Sequence, residues 1–341
     1  MNGLQLAKAY YEQFGRPMLE REFPQYRNFI AAGLVGEGSE CFGYDDRISE
    51  DHDYGAGFCI WLPDEIYEKA GHRMQQAYDA LAEQVKVFAG QPVISGRAAG
   101  GSKRKGVFSI EEFYRGLLGD LYFPQKEEDW FLFSESALAA ATNGDVFADP
   151  AGFFSSVRKK LQVYYPENVR LKKISVCLLY MAQTGQVNYA RCMARGERLA
   201  SGICISEFMR AALSVLYLLN RRYMPFYKWA PRGLKNAAVL SDGILILEKL
   251  QTAEEQEGVW KMAGVSDSAQ RQVCFADGLN TEDKKVCLIE KLCSEIVQEL
   301  HRQRITDSSE VFLTMQAESV HKHISNPEIR KAVIRMPEYQ V

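Results

Sequence analysis

The chain is poor in the residue types and spacings that hold zinc or form cross-links. Its 341 residues include five histidines, and its eight cysteines contain no Cys-x-x-Cys pair. His321 and His323 lie close together, but no third ligand is near them in the sequence. A zinc site is therefore not expected. Because the cysteines lie mostly in apolar segments and the first residues do not form a signal peptide, we expect a cytoplasmic protein.

A strong charge of either sign is also missing. The formal net charge is −3, from 41 basic and 44 acidic residues. Such a balance does not favour a DNA-binding protein, although a local basic patch could still hold a nucleotide or a tRNA. The best apolar run, residues 211–219, is too short to span a bilayer and follows Arg210. We expect a buried helix there and no membrane partner.

Strand-like patterns occur only in the first half of the chain. Residues 29–35, residues 57–62 and the VFSI segment within residues 106–113 have the composition of strands. From about Ala151 onward the apolar spacing is helical. The length also exceeds what one hydrophobic core usually serves. We therefore predict an α+β fold, with a small mixed sheet flanked by helices in residues 1–150 and a helical bundle in residues 151–341. The predicted helices are residues 4–23, 64–87, 166–180, 187–199, 203–220, 233–250, 282–304 and 311–325.

The most informative pattern lies in residues 36–55, GEGSECFGYDDRISEDHDYG. Gly38 and Ser39 are separated by eleven residues from Asp51-His52-Asp53, and the apolar run GFCIWL follows. On a strand, Asp51 and Asp53 would face the same side, where two carboxylates repel each other unless a cation lies between them. Oxygen ligands suit Mg²⁺, with Mn²⁺ as an alternative, and substrate phosphates complete the coordination. Gly38 and Ser39 would supply phosphate donors.

Two other interpretations of this pattern stay open. The segment is rich in acidic residues and could be a surface loop. The ordered spacing and the apolar strand after it favour the metal and phosphate site. His52 would face the opposite side of the strand and fits a packing or orienting role. No Gly-x-Ser-x-Gly motif supports a Ser-His-Asp triad.

The Gly-Ser and Asp-x-Asp pair resembles the signature of the DNA polymerase beta nucleotidyltransferase superfamily. A closer resemblance, to an uncharacterised bacterial group with a Ser-x-Asp-His-Asp-x-Gly site, rests on two segments. These are Ser49 to Gly55 and LNRRYMPFYKW, residues 219–229. The resemblance covers the chain from about residue 29 to at least residue 230. The architecture it implies is similar to that of kanamycin nucleotidyltransferase.

The resemblance implies transfer of a nucleoside monophosphate from a nucleoside triphosphate to an acceptor hydroxyl, with release of pyrophosphate. Mg²⁺ would bind Asp51 and Asp53, and the β- and γ-phosphates would bind Gly38 and Ser39. The acceptor could be a small molecule, a protein side chain or a tRNA end. The alternative is a degenerate member of the superfamily that binds a nucleotide or a partner without transfer.

Members of this superfamily usually add a third carboxylate, as a metal ligand or a general base. Four residues are candidates: Glu111, Glu112, Asp145 and Glu207. Glu207 is the one we assign as catalytic, because it starts a polar stripe with Arg210, Ser214 and Tyr217 on an otherwise apolar helix. The alternative for Glu207 is an internal ion pair with Arg210.

Three residues of the RRYMPFYKW segment are predicted to bind the nucleotide. Arg222 and Lys228 would contact phosphates, and Tyr223 would stack on the base. Rings that pack while their neighbouring charges reach solvent are the alternative. A second basic stripe, Arg191, Arg195 and Arg198, is predicted to share one helical face, either solvated or phosphate-binding. The basic residues 100–106 lack the Walker spacing, and a solvated loop is favoured there.

Overall fold

A mixed sheet of four short strands organises the first part of the molecule. The computed structural model describes residues 1–49, 54–94, 104–260 and 280–334. Its contacts divide the chain into two compact units. Unit one is Met1–Gln125 with Phe133–Tyr164, and unit two is Lys126–Leu132 with Tyr165–Val341. The sheet and most helices confirm the predicted α+β class.

The described residues of unit one form six strands in two sheets. The main sheet has the order β5-β2-β1-β6, and β3 pairs with β4 in a small hairpin. The strand bounds are β1 Ala31–Leu34, β2 Cys59–Leu62, β3 Val87–Phe88, β4 Gln91–Pro92, β5 Gly106–Ser109 and β6 Asp145–Ala148. Three of the predicted strands are thus present as β1, β2 and β5. Strand β6 was not predicted.

The strand register brings one end of each of the four strands to the same side of the main sheet. Strand β1 is antiparallel to β2 and to β6, with Gly33 opposite Cys59 and Leu34 opposite Asp145. Strand β5 runs parallel to β2, with Gly106 opposite Cys59. Strand β1 therefore ends where β2, β5 and β6 begin. We call this the motif edge.

Helices cover the rest of unit one. The predicted helix over residues 4–23 is confirmed, but it contains a π-helical turn between two α-helical parts. The predicted helix over residues 64–87 is built in the same way. The bounds are Gly3–Tyr10, Tyr11–Gly15 (π), Arg16–Glu22, Pro24–Phe29 (3-10), Ser39–Phe42, Asp64–Ile66, Tyr67–Gly71 (π), His72–Val85, Ile110–Leu118, Glu135–Thr142 and Phe153–Gln162.

The core of unit one lies between the first helix and the sheet. Tyr10, Phe58 and Tyr78 are each at most 1% exposed. The Phe58 ring contacts the other two, with centroids 5.9 Å from Tyr10 and 5.0 Å from Tyr78. The Tyr78 hydroxyl accepts the Phe58 backbone N–H at 3.0 Å. Burial of this aromatic group holds the helices against strands β1 and β2.

The described residues of unit two form helices and no strand, as predicted, but the predicted helix over residues 233–250 was wrong, because Ala230–Leu234 and Gly243–Thr252 are two separate helices. Arg170 is 1% exposed, and its guanidinium donates to Glu167 at 2.6 Å and to Gln303 at 3.1 Å. Arg221 also pairs with Glu167, at 2.8 Å. The helix bounds are Glu127–Leu132 (3-10), Glu167–Met181, Ala182–Tyr189 (π), Ala190–Arg195, Arg198–Leu219, Ala230–Leu234, Gly243–Thr252, Glu257–Val259 (3-10), Lys284–Arg302, Leu313–Lys322 and Pro327–Lys331.

Within the described chain, the helix Arg198–Leu219 has the length and apolar composition of a membrane span. The sequence prediction placed the apolar run only at residues 211–219 and judged it too short. The helix extends that run toward the N-terminus, so this judgement was wrong for the helix as a whole. More than half of its most apolar stretch is buried in the protein. A buried core helix can have the same length and composition.

Asp283 is the buried acceptor that begins the helix Lys284–Arg302. It is 1% exposed, and it accepts the backbone N–H groups of Lys285 and Val286 at 2.8 and 3.0 Å. It also accepts the indole N–H of Trp260 at 2.7 Å and the hydroxyl of Tyr189 at 3.2 Å. Burial and the neighbouring Asp283 carboxylate raise the pKa of Tyr189. Asp283 thus ties three segments together as it caps the helix.

Candidate functional site

The turn after β1 has the backbone conformation that its glycines permit. Gly36 and Gly38 have φ values of +127° and +126°, a region that other residues rarely adopt. Ser39 is buried and begins the short helix Ser39–Phe42. No described residue accepts the backbone N–H of Gly38 or of Ser39. The turn therefore offers two backbone donors at the motif edge.

Asn143 holds this turn in place from a distant part of the sequence. Its side-chain oxygen accepts the Gly36 N–H at 3.0 Å, and its amide group donates to the Gly36 carbonyl at 2.7 Å. Asn143 lies two residues before strand β6. The sequence analysis did not single out Asn143, because its partner is 107 residues away and no local pattern connects them.

Lys105 is the central residue of the motif edge. It is 3% exposed, and its ammonium lies 3.6 Å from the carboxylate of Glu40, which is 6% exposed. The same ammonium donates to the Gly55 carbonyl at 2.9 Å. The favoured interpretation of residues 100–106 as a solvated loop was therefore wrong for Lys105. The burial of Lys105 could not be predicted, because nothing in the neighbouring sequence distinguishes it from Lys103.

The contacts of Lys105 join the two halves of the sequence motif. Glu40 directly follows Ser39, and Gly55 comes two residues after Asp53. One ammonium therefore holds the residue after the Gly-Ser pair close to the segment that follows the Asp-His-Asp triplet. Asp51, His52 and Asp53 themselves lie outside the described residues. Their common face and their metal binding stay predictions.

The N-terminal helix also packs against this edge. The backbone N–H of Gly3 donates to Asp45 at 2.8 Å, and the Tyr54 hydroxyl lies 3.4 Å from the same carboxylate oxygen. A Cβ atom on Gly3 would approach the Cβ of Glu40 to 2.5 Å and the Tyr54 ring to 3.2 Å. Glycine at position 3 therefore allows the helix to lie close to both halves of the motif.

The register separates the acidic candidates of unit one. Glu111 and Glu112 lie in the first turn of the helix Ile110–Leu118, which follows the far end of β5. Glu111 pairs there with Arg115 at 2.7 Å. Asp145 begins β6 opposite Leu34, at the motif edge. Among these three acids, Asp145 is the one that the register places beside the Gly-Ser turn.

Asp145 has a cationic neighbour in Arg158. The Arg158 guanidinium donates to the carbonyls of Thr142 and Gly144 at 3.0 and 3.2 Å. Burial lowers the pKa of Arg158, while Tyr114 and Asp145 act in the opposite direction. The group thus lies among backbone carbonyls next to an exposed carboxylate. In the described part of the chain, no cluster of three or more His, Cys, Asp or Glu side chains could hold a metal.

Glu207, the predicted catalytic carboxylate, forms an ion pair in unit two. Its carboxylate accepts Arg210 at 2.8 Å, and both side chains are about one-third exposed. This is the internal pair that was the alternative to catalysis, and a catalytic role for Glu207 stays a prediction. The rest of the polar stripe is buried. Tyr217 donates its hydroxyl to the Ala230 carbonyl at 2.8 Å.

Arg222, Tyr223 and Lys228 each have partners within unit two. Arg222 donates to the Gly233 carbonyl at 2.8 Å. Tyr223 lies edge-on to Tyr165, with ring centroids 5.0 Å apart, and burial raises its pKa. The Lys228 ammonium lies 5.1 Å from the centre of the Trp229 ring. These contacts match the packing alternative, and the nucleotide-binding roles stay predictions.

The second basic stripe does not form one helical face. The helix Ala190–Arg195 ends before Gly196, which has a left-handed conformation with φ of 73°. Arg198 begins the next helix. The prediction that Arg191, Arg195 and Arg198 share a face was wrong for Arg198, because the glycine interrupts the helix.

One family model and one solved structure are similar to this chain. A family model described as a domain of unknown function, DUF4037, matches residues 130–230. The match covers less than half of the chain and includes the RRYMPFYKW segment. The Asp-His-Asp triplet lies outside the match. No curated protein matches the chain.

One solved structure is similar over nearly the whole length. It is a nucleotidyltransferase-like protein from Exiguobacterium sibiricum 255-15, with 13% identity and a TM-score of 0.34. The similarity covers 94% of this chain and 91% of that one.

Proposed function

We propose that this protein is a Mg²⁺-dependent nucleotidyltransferase. It would move a nucleoside monophosphate from a nucleoside triphosphate to an acceptor hydroxyl. The observation that supports this proposal is the buried ammonium of Lys105. It contacts Glu40 and Gly55, and so it joins the segment after Gly38-Ser39 to the segment after Asp53. A purely acidic surface loop would not need this buried link.

The donor chemistry of the proposed site fits Mg²⁺. Asp51 and Asp53 offer carboxylate oxygens, with no thiolate or imidazole required, which is the set that a hard cation prefers. When bound, the ion would neutralise and orient the phosphates. The backbone donors of Gly38 and Ser39 would bind phosphate oxygens, since no described residue accepts them.

The proposed transfer forms one bond and breaks one bond at the α-phosphorus. The acceptor oxygen attacks that phosphorus, the bond to the oxygen of the β-phosphate breaks, and pyrophosphate leaves. The proton of the acceptor hydroxyl goes to a carboxylate. Glu207 is our assignment from the sequence, and Asp145 competes for the role because it lies at the motif edge. The acceptor is a small molecule, a protein side chain or a tRNA end.

A second candidate function is nucleotide binding without transfer. Two acidic candidates, Glu111 and Glu207, are each paired with an arginine. Strand β5, the parallel neighbour of β2, carries no carboxylate at all. A binding module would need the phosphate donors and the metal ligands but no general base.

Labelled nucleotides distinguish the two candidates. The full-length protein is incubated with each α-labelled nucleoside triphosphate, Mg²⁺ and pools of small-molecule, protein and tRNA acceptors. Pyrophosphate release and label transfer are measured, together with nucleotide binding by calorimetry. Asp51→Asn and Asp53→Asn are the test variants. Glu68→Gln, which removes an exposed acid of unit one, is the matched control.

We expect transfer by the wild type and by Glu68→Gln, and none by the two aspartate variants. Nucleotide binding that depends on Asp51 and Asp53, without any pyrophosphate release, would support the binding module instead. If neither binding nor release occurs, or if the aspartate variants equal the wild type, the proposed site is wrong. Asp145→Asn and Glu207→Gln then compare the two candidate bases, and the true base should lose most of its rate.

A further inference from the structure

A second concave region of unit one lies at the other end of strand β1. It is a pocket of about 340 Å³. Ile30 lines it directly before β1 begins, and Ala148 lines it where β6 ends. The Gly-Ser turn follows the opposite end of β1, so the pocket is separate from the motif edge. Its volume lies within the range of small-molecule sites.

The inner wall of the pocket is apolar and held by the core. Tyr11, Leu19 and Ile30 line it and are 6%, 5% and 6% exposed. The Tyr11 ring is fixed between two others, with its centroid 5.3 Å from Phe58 and 5.7 Å from Phe147. Because these side chains already have their packing partners, the wall does not need to collapse or rearrange to accept a ligand.

A π-helical turn positions the polar side of this pocket. Tyr11 begins the turn, Gly15 ends it and Arg16 follows it. A Cβ atom on Gly15 would lie 2.3 Å from the Phe58 ring, so glycine is needed for the turn to pack there. Single π-helical turns within α-helices are rare overall, and those that occur often lie at functional sites. This one aligns Tyr11 and Arg16 on the pocket.

One of the two guanidinium groups that line the pocket has no ion-pair partner among the described residues. Arg16 lies 4.0 Å from Glu20, and both side chains are more than half exposed, so this pair is weak. The Asp149 carboxylate accepts the Ser155 N–H at 2.7 Å near the start of the next helix. Arg27 lines the pocket and has no ion pair or hydrogen bond with a described residue. The four charged side chains of the lining therefore sum to zero, and Arg27 is the one without a partner among the described residues.

We propose that this pocket binds a small organic carboxylate with a compact apolar body. The carboxylate would pair with Arg27 and Arg16, which suit its planar geometry. The apolar body would lie on Leu19 and Ile30. A phosphate dianion fits less well, because Glu20 and Asp149 lie on the same rim and one free guanidinium does not balance two charges. This site is independent of the proposed nucleotidyl transfer.

Three ligands with the same apolar body test the charge requirement, and the carboxylate and the amide among them also share their planar shape. Phenylacetate, phenylacetamide and phenylethylamine are titrated into the full-length protein, and binding is followed by ligand-observed NMR and calorimetry. Phenylacetate should bind at least about tenfold more tightly than the neutral amide, as a charge-assisted hydrogen bond predicts. Equal binding of the three, or preference for the amine, would overturn the proposal. So would a lack of phenylacetate binding up to about 10 mM, since even small fragments reach this affinity in a formed pocket.

Substitutions at exposed residues of the pocket rim, with opposite expected effects on phenylacetate binding, complete the test. Arg27→Gln should weaken phenylacetate binding about tenfold. Glu20→Gln should strengthen it about two- to threefold, because it removes the competitor of Arg16. The control is Arg21→Gln, an exposed arginine that pairs with Glu22 and does not line the pocket. If Arg27→Gln and Arg21→Gln behave alike, or if Glu20→Gln weakens binding, the assignment fails.

Discussion

Replacing Lys105 with methionine should destabilise unit one strongly. The substitution keeps most of the length and volume of the side chain but removes its charge. Glu40 would then be a buried carboxylate without its cation, since it is 6% exposed. The Gly55 carbonyl would lose its 2.9 Å hydrogen bond in the same step. Both halves of the motif would lose the group that joins them.

The expected cost follows from the geometry of the pair. At 3.6 Å and an effective dielectric constant of about 20, the attraction between the two charges is about 5 kcal/mol. An unsatisfied buried carbonyl adds about 1–3 kcal/mol. Relief from burying the ammonium offsets part of both. Removal of one partner from a buried pair typically costs about 3–5 kcal/mol, and we expect a loss in this range.

Urea unfolding followed by circular dichroism measures the change in the free energy of unfolding. Because the two units can unfold separately, hydrogen exchange of peptides covering β1 and β2 reports on unit one itself. The control is Lys69→Met, which removes an exposed ammonium from the same unit. It should change the free energy of unfolding by no more than about 0.5 kcal/mol.

A double variant separates the charge from the packing. Adding Glu40→Gln to Lys105→Met removes the uncompensated carboxylate, and part of the lost stability should return. Two results would refute the reasoning. One is a Lys105→Met protein as stable as Lys69→Met. The other is a double variant that loses the full sum of the two single losses.

Three more outcomes are expected. Asp283→Ala should lower the free energy of unfolding by about 3 kcal/mol in urea titrations, because a helix cap and two side-chain hydrogen bonds are lost together. Burial alone would raise the pKa of Glu167, but the hydrogen bonds from its two arginines, Arg170 first, lower it. Its stabilisation is therefore present above about pH 4 and is lost as the pH falls further. Glu167→Gln should cost about 1 kcal/mol at pH 7 and progressively less as the pH falls through the lowered pKa of Glu167, and a difference that stays constant into the acid range would contradict the assignment. In a Cys274→Ser background, a thiol reagent should modify the exposed Cys287 first and Cys204 slowly, since burial raises the pKa of Cys204 to about 11. Fast labelling of a further, buried thiol in the native protein would contradict the packing.

The helices could be predicted from the sequence because their signal is local. Apolar spacing marked residues 4–23 and 64–87, and helices run through both segments as far as Glu22 and Val85. The π-helical turns inside them were not predicted, since they depend on close packing such as that of Gly15 against Phe58. Apolar periodicity does not report on such a contact.

Strand β6 shows where local patterns fail. Its four residues lie between Gly144 and Asp149, and turn-forming residues at both ends leave only Val146 and Phe147 with strand propensity. The segment becomes a strand because it pairs with β1, with an irregular register near Ala32 and Gly33. The pairing joins residues more than a hundred positions apart. Such a partner cannot be found from a short window of sequence.

The candidate site also contains residues that the sequence predicts and residues that it does not predict. The Gly-Ser turn could be recognised, because positive φ angles require glycine and the spacing to the aspartates is a fixed pattern. Lys105 and Asn143 could not, because their partners are 50 and 107 residues away. Their importance comes from burial and from the edge of the sheet at which they meet.

The hydrogen bonds between Asn143 and Gly36 also set an order for biosynthesis. Gly36 leaves the ribosome more than a hundred residues before Asn143, so its turn stays without this support while the chain is made. Loops of this length close late in folding, after local helices have formed. The Gly-Ser turn therefore gains this support only when β6 has joined the sheet. A nascent chain that ends before residue 143 would carry the motif without the two hydrogen bonds that hold its turn.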